Sequence, residues 1–513
     1  MKANQVNSNL MRILQDNKNS DSGMSMDFRY IKIVNGFRHL VPISVYDNIA
    51  PLIELTTRIG ETGIYTSHPL IGYSLTSGTT GVPRYIPCTQ KHIEDFQREF
   101  LSIIEKGRTM LLLESLPKDT KFVDNVYLDS ISGILLQSLK KKMKWHNIVN
   151  PEPLVYISEH MDSEYLRAFF ALRDATIIQI FSPFSWGVVN FFDCIRKNWD
   201  KLLDDIRKGS IDPSVKLPEE LGNELKKYIK PAPERAENLK ALYHDGFFAG
   251  AWVEKVWPDM KRIIAGGGGS FSIYSRRMQR NLGKIVHNYG LYASSEGVIG
   301  CAVKDGTDLY RIADSSLFLE FIPVNENSDV SLLADELEPG KYYRVIVTNN
   351  AGLYRYNIGD VIKVIDMKDG IPYFKIAYRK EASVLIEDVV ITEENIFDAI
   401  CKMEDKFEIL IADYSFGSEN NKCKIFLEPE AYDSNIQKLN NIPLEEIAKF
   451  MKGVLLKDQA ETDCEVYISQ EQTQLLYRDL RRYREITALD QIKPVHVLDN
   501  PVKEKFFTRM VEG

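Results

Sequence analysis

Between Tyr73 and Arg84 the chain reads Tyr-Ser-Leu-Thr-Ser-Gly-Thr-Thr-Gly-Val-Pro-Arg, which packs hydroxyls and glycines into one short loop closed by a cation. Glycines let backbone N–H groups approach a phosphate closely and adopt positive φ. Around Gly78, the hydroxyls of Ser77, Thr79 and Thr80 add donors, and Arg84 supplies a fixed charge for phosphate oxygens. Such a loop suits a nucleotide polyphosphate. It lacks the Gly-x-x-x-x-Gly-Lys-Ser/Thr spacing of kinases and GTPases, and taken alone it also reads as a polar turn between two strands.

Three later strings add chemistry. In Tyr289-Gly-Leu-Tyr-Ala-Ser-Ser-Glu-Gly297 an aromatic offers a face to adenine, a hydroxyl can reach phosphate, and Glu296 offers the hard oxygen that Mg²⁺ prefers. In Gly352-Leu-Tyr-Arg-Tyr-Asn-Ile-Gly-Asp360 the carboxylate follows a glycine at the start of a strand and suits two ribose hydroxyls. Near the C-terminus, Gln491-Ile-Lys-Pro494 presents Lys493. Each has a plainer reading: Glu296 as a helix cap, Asp360 as a turn residue, Lys493 as a solvated charge.

The elements that must position these groups are those of an ordinary globular enzyme. At 513 residues, two or more domains are expected. Hydrophobic residues make up 44% and charged ones 27%, and the net charge of −8 argues against nucleic acid or an anionic membrane as a partner. Cys88, Cys194, Cys301, Cys401, Cys423 and Cys464 form no C-x-x-C pair and share no ligand spacing with the histidines, which suits free thiols in a reducing cytoplasm. The polar start, Met1 to Ser20, has no signal-peptide core. The apolar stretch from Ala175 to Phe192 is broken by polar residues and reads as a strand, a loop and the start of a helix, not a membrane span.

Up to about Phe374 helical and β-type runs alternate, as in α/β layering. Asp193 to Gly209 reads as one amphipathic helix stopped by Gly209. Extended runs fall at Ser316–Pro323, Tyr342–Thr348, Gly359–Ile365 and Tyr373–Arg379. Val389–Ile391 then leads to Thr392 as a helix N-cap. Strands at Ile409–Asp413 and Lys424–Leu427, with helices between, complete a small α+β unit. The expected architecture is a large N-terminal α/β domain, residues 1–378, that binds ATP and the acyl substrate, and a smaller mobile C-terminal α+β lid, residues 379–513, hinged near Tyr378 to Glu381.

Taken together, these motifs resemble those of the adenylate-forming superfamily. More narrowly they resemble the auxin-responsive acyl acid amido synthetases, which join plant-hormone-type acids to amino acids. Phe37–Tyr46 (FRHLVPISVY), Val256-Trp257-Pro258 with Ala265–Ser270, Tyr292–Gly300 (YASSEGVIG) and Ala351–Asp360 (AGLYRYNIGD) carry the narrower likeness, with Asn198-Trp199 and Asp205–Gly209 in support. It covers nearly all of the chain to about Arg379 and is looser beyond. Arg84 stands where many adenylate-forming enzymes carry Lys, and the Gly266–Gly269 run is richer in glycine than expected.

The resemblance implies an AMP-forming ligase using ATP and Mg²⁺. A carboxylate attacks the α-phosphorus of ATP, giving an acyl-adenylate and pyrophosphate, and an amine, expected to be an amino acid, then takes the acyl group as an amide. It assigns Ser77, Thr79, Thr80 and Arg84 to the β- and γ-phosphates, Ser295 to the α-phosphate, Glu296 to Mg²⁺, Tyr292 to adenine and Asp360 to ribose. Gly78, Ala293, Ser294 and Arg379 complete the nucleotide site. Lys493 would swing in with the lid and bridge the α-phosphate and the acyl oxygens. The acyl pocket is expected among helices between Leu112 and Phe192, with Tyr165, Phe169, Phe170 and Phe184 as candidates. The alternatives are an acyl-CoA ligase, whose CoA would need lid cations among Lys422, Lys424, Arg478, Arg481 and Arg482, and a catalytically silent nucleotide-binding protein.

Overall fold

The computed structural model describes residues 3–59, 63–76, 84–115, 122–123, 126–140, 142–155, 162–324, 330–379, 383–386, 389–456, 463–482 and 493–511. Within them the mixed α/β expectation holds. A parallel sheet runs Thr109–Leu111, Gln179–Phe184, Arg262–Gly266, Val286–Asn288. Its crossovers are helical, among them Ser163–Arg173 and Ser272–Leu282. The second sheet has seven strands, all antiparallel, in the order Phe318–Pro323, Tyr342–Thr348, Tyr356–Lys368, Ile371–Arg379, Tyr310–Ile312, Gly297–Ala302, Leu291–Ser294. A third sheet pairs Leu70–Thr76 antiparallel with Arg84–Thr89 and parallel with Val126–Asp129.

Alternation explains the seven-stranded sheet. In Tyr342–Thr348 the residues Tyr343, Val345 and Val347 enter one apolar cluster with Tyr356, Ile362 and Phe374. Its edge is fastened by Arg355, a non-glycine residue at φ 47°. The Arg355 guanidinium donates to Glu320 (3.1 Å) and to the carbonyls of Arg38 (3.0 Å) and Val41 (2.9 Å), so it spends its charge holding the helix Val34–Leu40 on the sheet. Glu320 is fully buried. Arg355→Ala should therefore cost about 3 kcal/mol in chemical denaturation, because the buried Glu320 keeps Arg38 (3.1 Å) but loses its second cation, and the carbonyls of Arg38 and Val41 lose their donor.

The C-terminal unit contains the hairpin Ser383–Ile386/Val389–Thr392 and a three-stranded sheet of Ile411–Glu419, Lys422–Pro429 and Asp463–Ile468. Thr392 caps the helix Glu393–Phe407 as expected, in a capping box with Asn395. Apolar side chains from this unit, such as Ile396, Ile400 and Tyr414, are continuous with a core that also contains Trp257, Tyr274 and Met278.

Two expectations are corrected. The helix read across Asp193–Gly209 is two helices, Ser185–Lys197 and Trp199–Lys208, because the Asn198 side chain turns back onto the Cys194 carbonyl (3.0 Å) and ends the first. Gly209 does stop the second, at φ 65°. The strands placed near Ile409–Asp413 and Lys424–Leu427 are longer and have no helix between them. They form a hairpin, since Asn420 and Asn421 take φ 49° and 61° and make a two-residue turn.

Candidate active site

A cavity of about 670 Å³ opens beyond the carboxyl ends of the parallel strands, where open α/β sheets bind ligands. One wall is the stretch from Ser182 to Phe184, another the run Gly266–Ser270. Glycine is needed in that run: a Cβ on Gly267 would sit 2.0 Å from Ser275 Oγ and 2.8 Å from His287 Cε1. Gly267→Ala should destabilise the protein by about 1–3 kcal/mol and push this wall into the cavity, read as a lower thermal midpoint.

The hydroxyl-rich loop cannot be placed: Ser77, Gly78, Thr79 and Thr80 lie outside the described residues. Its flanks can. Thr76 and Arg84 face each other across the paired strands and both line the cavity. The Arg84 guanidinium lies 5.6 Å from the Tyr46 ring centroid.

Opposite stands the hairpin of Leu291–Ser294 and Gly297–Ala302, in which Ser294 pairs with Gly297 and Ser295-Glu296 form the turn. Tyr292, Ala293, Ser294, Ser295 and Glu296 all line the cavity. The turn is held from three sides. Ser74 and Ser295 share a hydroxyl hydrogen bond (2.7 Å), His92 Nε2 donates to the Ser295 carbonyl (2.9 Å), and Asn349 donates to the Glu296 carbonyl (2.9 Å). Burial pushes His92 down to about 4, so the ring is neutral and the carbonyl fixes its proton on Nε2. The Ser294 hydroxyl is buried at the cavity with no hydrogen-bond partner among the described residues.

Asp360 lies in the strand Tyr356–Lys368, just after Gly359 at φ 84°, and is nearly buried at the cavity wall. It accepts a hydrogen bond from the Tyr292 phenol (2.9 Å), so two motifs that are far apart in sequence meet. The Tyr292 ring packs edge-on to Phe374. Arg379 pairs with Asp360 through the backbone of the neighbouring strands, and its side chain lies outside the described residues.

Lys493 also lines the cavity, with Nζ 5.5 Å and 5.9 Å from the ring centroids of Phe184 and Phe271, which stack on each other at 4.3 Å. Its carbonyl accepts from Arg481 (2.9 Å). The apolar end of the cavity is made by Phe96 and Phe100, Ile131 and Leu135, with Leu113 and Phe181 behind. The expected stretch, 112–192, does supply Leu113, Ile131, Leu135 and Phe181, whereas three of its four named candidates are corrected. Phe184 reaches the cavity, but Tyr165, Phe169 and Phe170 are core, and the Tyr165 hydroxyl is spent on Asp205 (2.7 Å). Of the cations expected to serve a CoA acceptor, Lys422 pairs with Glu465, Lys424 with Glu504 and Arg478 with Glu164, while Arg481 lines the cavity and the Arg482 side chain lies outside the described residues.

Sequence reasoning missed Ser74, His92, Asn349 and His496, all at or behind the cavity wall. Ser74 stands in the opening string but on its lead-in strand, and the other three stand in no recognisable spacing, since their partners are far away in the chain. No group of three or more His, Cys, Asp or Glu suited to a metal occurs among the described residues, and no described helix is long and apolar enough to cross a membrane.

Known proteins share this architecture. The acyl acid amido synthetase GH3.15 superposes with a TM-score of 0.84 at 17% identity, covering 99% of this chain and 93% of that one. A 2-hydroxyisobutyryl-CoA ligase in its postadenylation state superposes at 0.60 with 11% identity, covering 99% and 92%. In sequence, the chain is 25% identical to the indole-3-acetic acid-amido synthetase GH3.8 of Oryza sativa subsp. indica, over 68% of this chain and 62% of that protein's length. It is 25% identical to the jasmonoyl–L-amino acid synthetase JAR4 of Nicotiana attenuata, over 73% and 69%. Residues 1–286, which supply Arg84 and the glycine run, match the GH3 family N-terminal domain, and residues 310–379, which supply Asp360, match its central domain; the chain belongs to the GH3 family.

Proposed function

We propose that this protein is an ATP-dependent acyl acid amido synthetase: it adenylates a small carboxylic acid, releasing pyrophosphate, and passes the acyl group to an amino acid as an amide. The observation that carries this reading is the meeting, in one cavity, of Arg84, the Ser295-Glu296 turn, the Tyr292–Asp360 pair and Lys493 with the aromatic and aliphatic side chains of Phe96, Phe100, Ile131 and Leu135. The polar groups suit a nucleotide, the apolar ones the body of an apolar acid.

In this reading the hydroxyls of Ser77, Thr79 and Thr80, with Arg84, hold the β- and γ-phosphates. Ser295, fixed by Ser74 and His92, offers its hydroxyl to the α-phosphate. Asp360 takes the ribose hydroxyls, and Tyr292, whose phenol donates to it, packs on adenine. Glu296 is the residue that would hold Mg²⁺. A single buried carboxylate fits an ion that takes its other ligands from phosphate and water. When bound, the ion offsets phosphate charge. Lys493 meets the charge that develops on the α-phosphate and the attacking carboxylate, above two stacked rings that keep water away. Residues 379–513 act as the lid, and their motion about the segment near Tyr378–Glu381 admits the amine. The pairing of Lys422, Lys424 and Arg478 with carboxylates weighs against a CoA acceptor. The lack of paired cysteine motifs supports a cytoplasmic setting.

ATP–pyrophosphate exchange across aromatic, indolic, cyclopentyl and fatty acids tests the reading, with positive acids then given amino acids or CoA and the products weighed by mass spectrometry. An amide supports it. A thioester, or no exchange with any acid, overturns it.

A further inference from the structure

Behind Lys493 the cavity wall contains a buried charge cluster that the reading above does not use. The segment from Lys493 to Leu498 lies along the strand Ile411–Glu419. Phe416 N donates to the His496 carbonyl (2.7 Å), Leu498 N to the Phe416 carbonyl (2.8 Å), and Ser415 Oγ to the Val495 carbonyl (2.6 Å). Gln474 holds both backbone groups of Val495, donating to its carbonyl (2.8 Å) and accepting from its N–H (3.1 Å).

His496 is the centre of this arrangement. Its ring, 2% exposed, stacks on Tyr414 at 4.2 Å and faces Tyr274 at 6.0 Å. Nδ1 donates to Glu393 and Nε2 to Asp413 (3.1 Å). Those two carboxylates reach back across the boundary near residue 378. Glu393 accepts from Ser270, at the end of the glycine run, and Asp413 accepts from the Tyr274 phenol (2.6 Å). Tyr274 sits on the helix Ser272–Leu282, which also sends Arg276, Arg277 and Arg280 to Glu404 and Glu430.

We propose that His496 is the positioning residue of the adenylation step: its ring joins the Lys493 segment, the lid strand, and the Ser270 loop and Tyr274 helix into one unit, and so holds Lys493 in the cavity. This inference rests on the role of Lys493 proposed above. A neutral ring donates only one hydrogen bond, whereas here both ring nitrogens face carboxylates, so the docked arrangement needs the imidazolium. Burial pushes the ring down, but the Glu393 charge, together with Asp413, outweighs it and holds His496 up to about 9. Also facing the ring are Tyr414 and Tyr274, and Arg277, one turn away, is spent on Glu430 and Asp193. The folded-state value lies above the unfolded one of about 6.5, so the docking contribution is complete below that pH and is lost as pH rises through about 9.

The test uses the full chain and two readings: pyrophosphate exchange with an acid that the wild type accepts, and amide formation from supplied acyl-AMP. His496→Gln should lower exchange by about 100-fold, the effect of an ångström-scale misplacement, while amide formation changes by less than about threefold. Tyr274→Phe should lower exchange by about tenfold through one lost hydrogen bond. Wild-type exchange should fall as pH passes about 9, and that limb should be missing from His496→Gln. Unchanged exchange in both variants overturns the proposal, and so does equal loss in both readings with a lower thermal midpoint, which marks a folding role. Absence of exchange in the wild type overturns the adenylating reading itself, and the inference with it.

Discussion

Lys493→Ala is expected to lower ATP–pyrophosphate exchange by about 10²- to 10³-fold, the usual loss when one preorganised group facing developing charge is removed. Amide formation from supplied acyl-AMP should stay within about threefold of the wild type. The split follows from the chemistry. In the proposed role, negative charge from both partners gathers at one point while the carboxylate attacks the α-phosphorus, and the Lys493 ammonium, above the Phe184 and Phe271 rings, meets it. In acyl transfer the bond to phosphorus is already made and AMP departs as a stable anion, so a cation at that point matters less. Equal loss in the two half-reactions would remove Lys493 from the chemical role. Lys493→Arg is a useful companion: charge is kept but the planar group is bulkier than an ammonium, so only partial recovery of exchange is expected.

Asp360→Ala should raise the KM for ATP by about 10- to 100-fold, the size of charge-assisted hydrogen bonds to two ribose hydroxyls. The substitution also leaves the Tyr292 phenol without its carboxylate partner, which the variant series separates. Asp360→Asn keeps an acceptor for the phenol and loses the charge, and Tyr292→Phe keeps the ring edge and loses the phenol. If ribose binding is the role of Asp360, Asp360→Asn should resemble Asp360→Ala in KM while Tyr292→Phe has the smaller effect. An unchanged KM in Asp360→Ala would exclude the ribose assignment.

Much of the local structure was readable from residue pattern because its causes are local. Tyr342–Thr348 has the bounds expected of it, since alternating Tyr and Val residues leave little choice. Thr392 caps its helix and Gly209 ends one, because a hydroxyl or a missing Cβ acts within a few residues. The break at Asn198 and the Asn420-Asn421 turn were open to the same reasoning. Both use asparagine, whose side chain and tolerance of positive φ compete with helix, and at Asn198 an apolar stripe that continues on both sides hides the break. Which aromatic residues line the cavity has a different cause. Phe96 and Phe100 on one helix look no different in sequence from Phe169 and Phe170 on another, and only packing decides which pair faces the cavity.

The sequence by itself determined the family and the chemical types proposed to meet the nucleotide, because glycine, hydroxyl and carboxylate requirements are met by short strings whose residues lie side by side in the chain. Tertiary structure alone decided how those strings meet: that Tyr292 reaches Asp360, that Ser74 and His92 fix Ser295, and that Arg84 and Lys493 share one cavity. It also decided the charge of two buried histidines, His496 at the cavity wall and His92 behind the Ser295 turn. His92 is buried against a carbonyl and is neutral, whereas His496 is buried between two carboxylates and is a cation. The residue type is the same in both, and the difference is set by desolvation and by charges brought from far along the chain, neither of which has a local pattern.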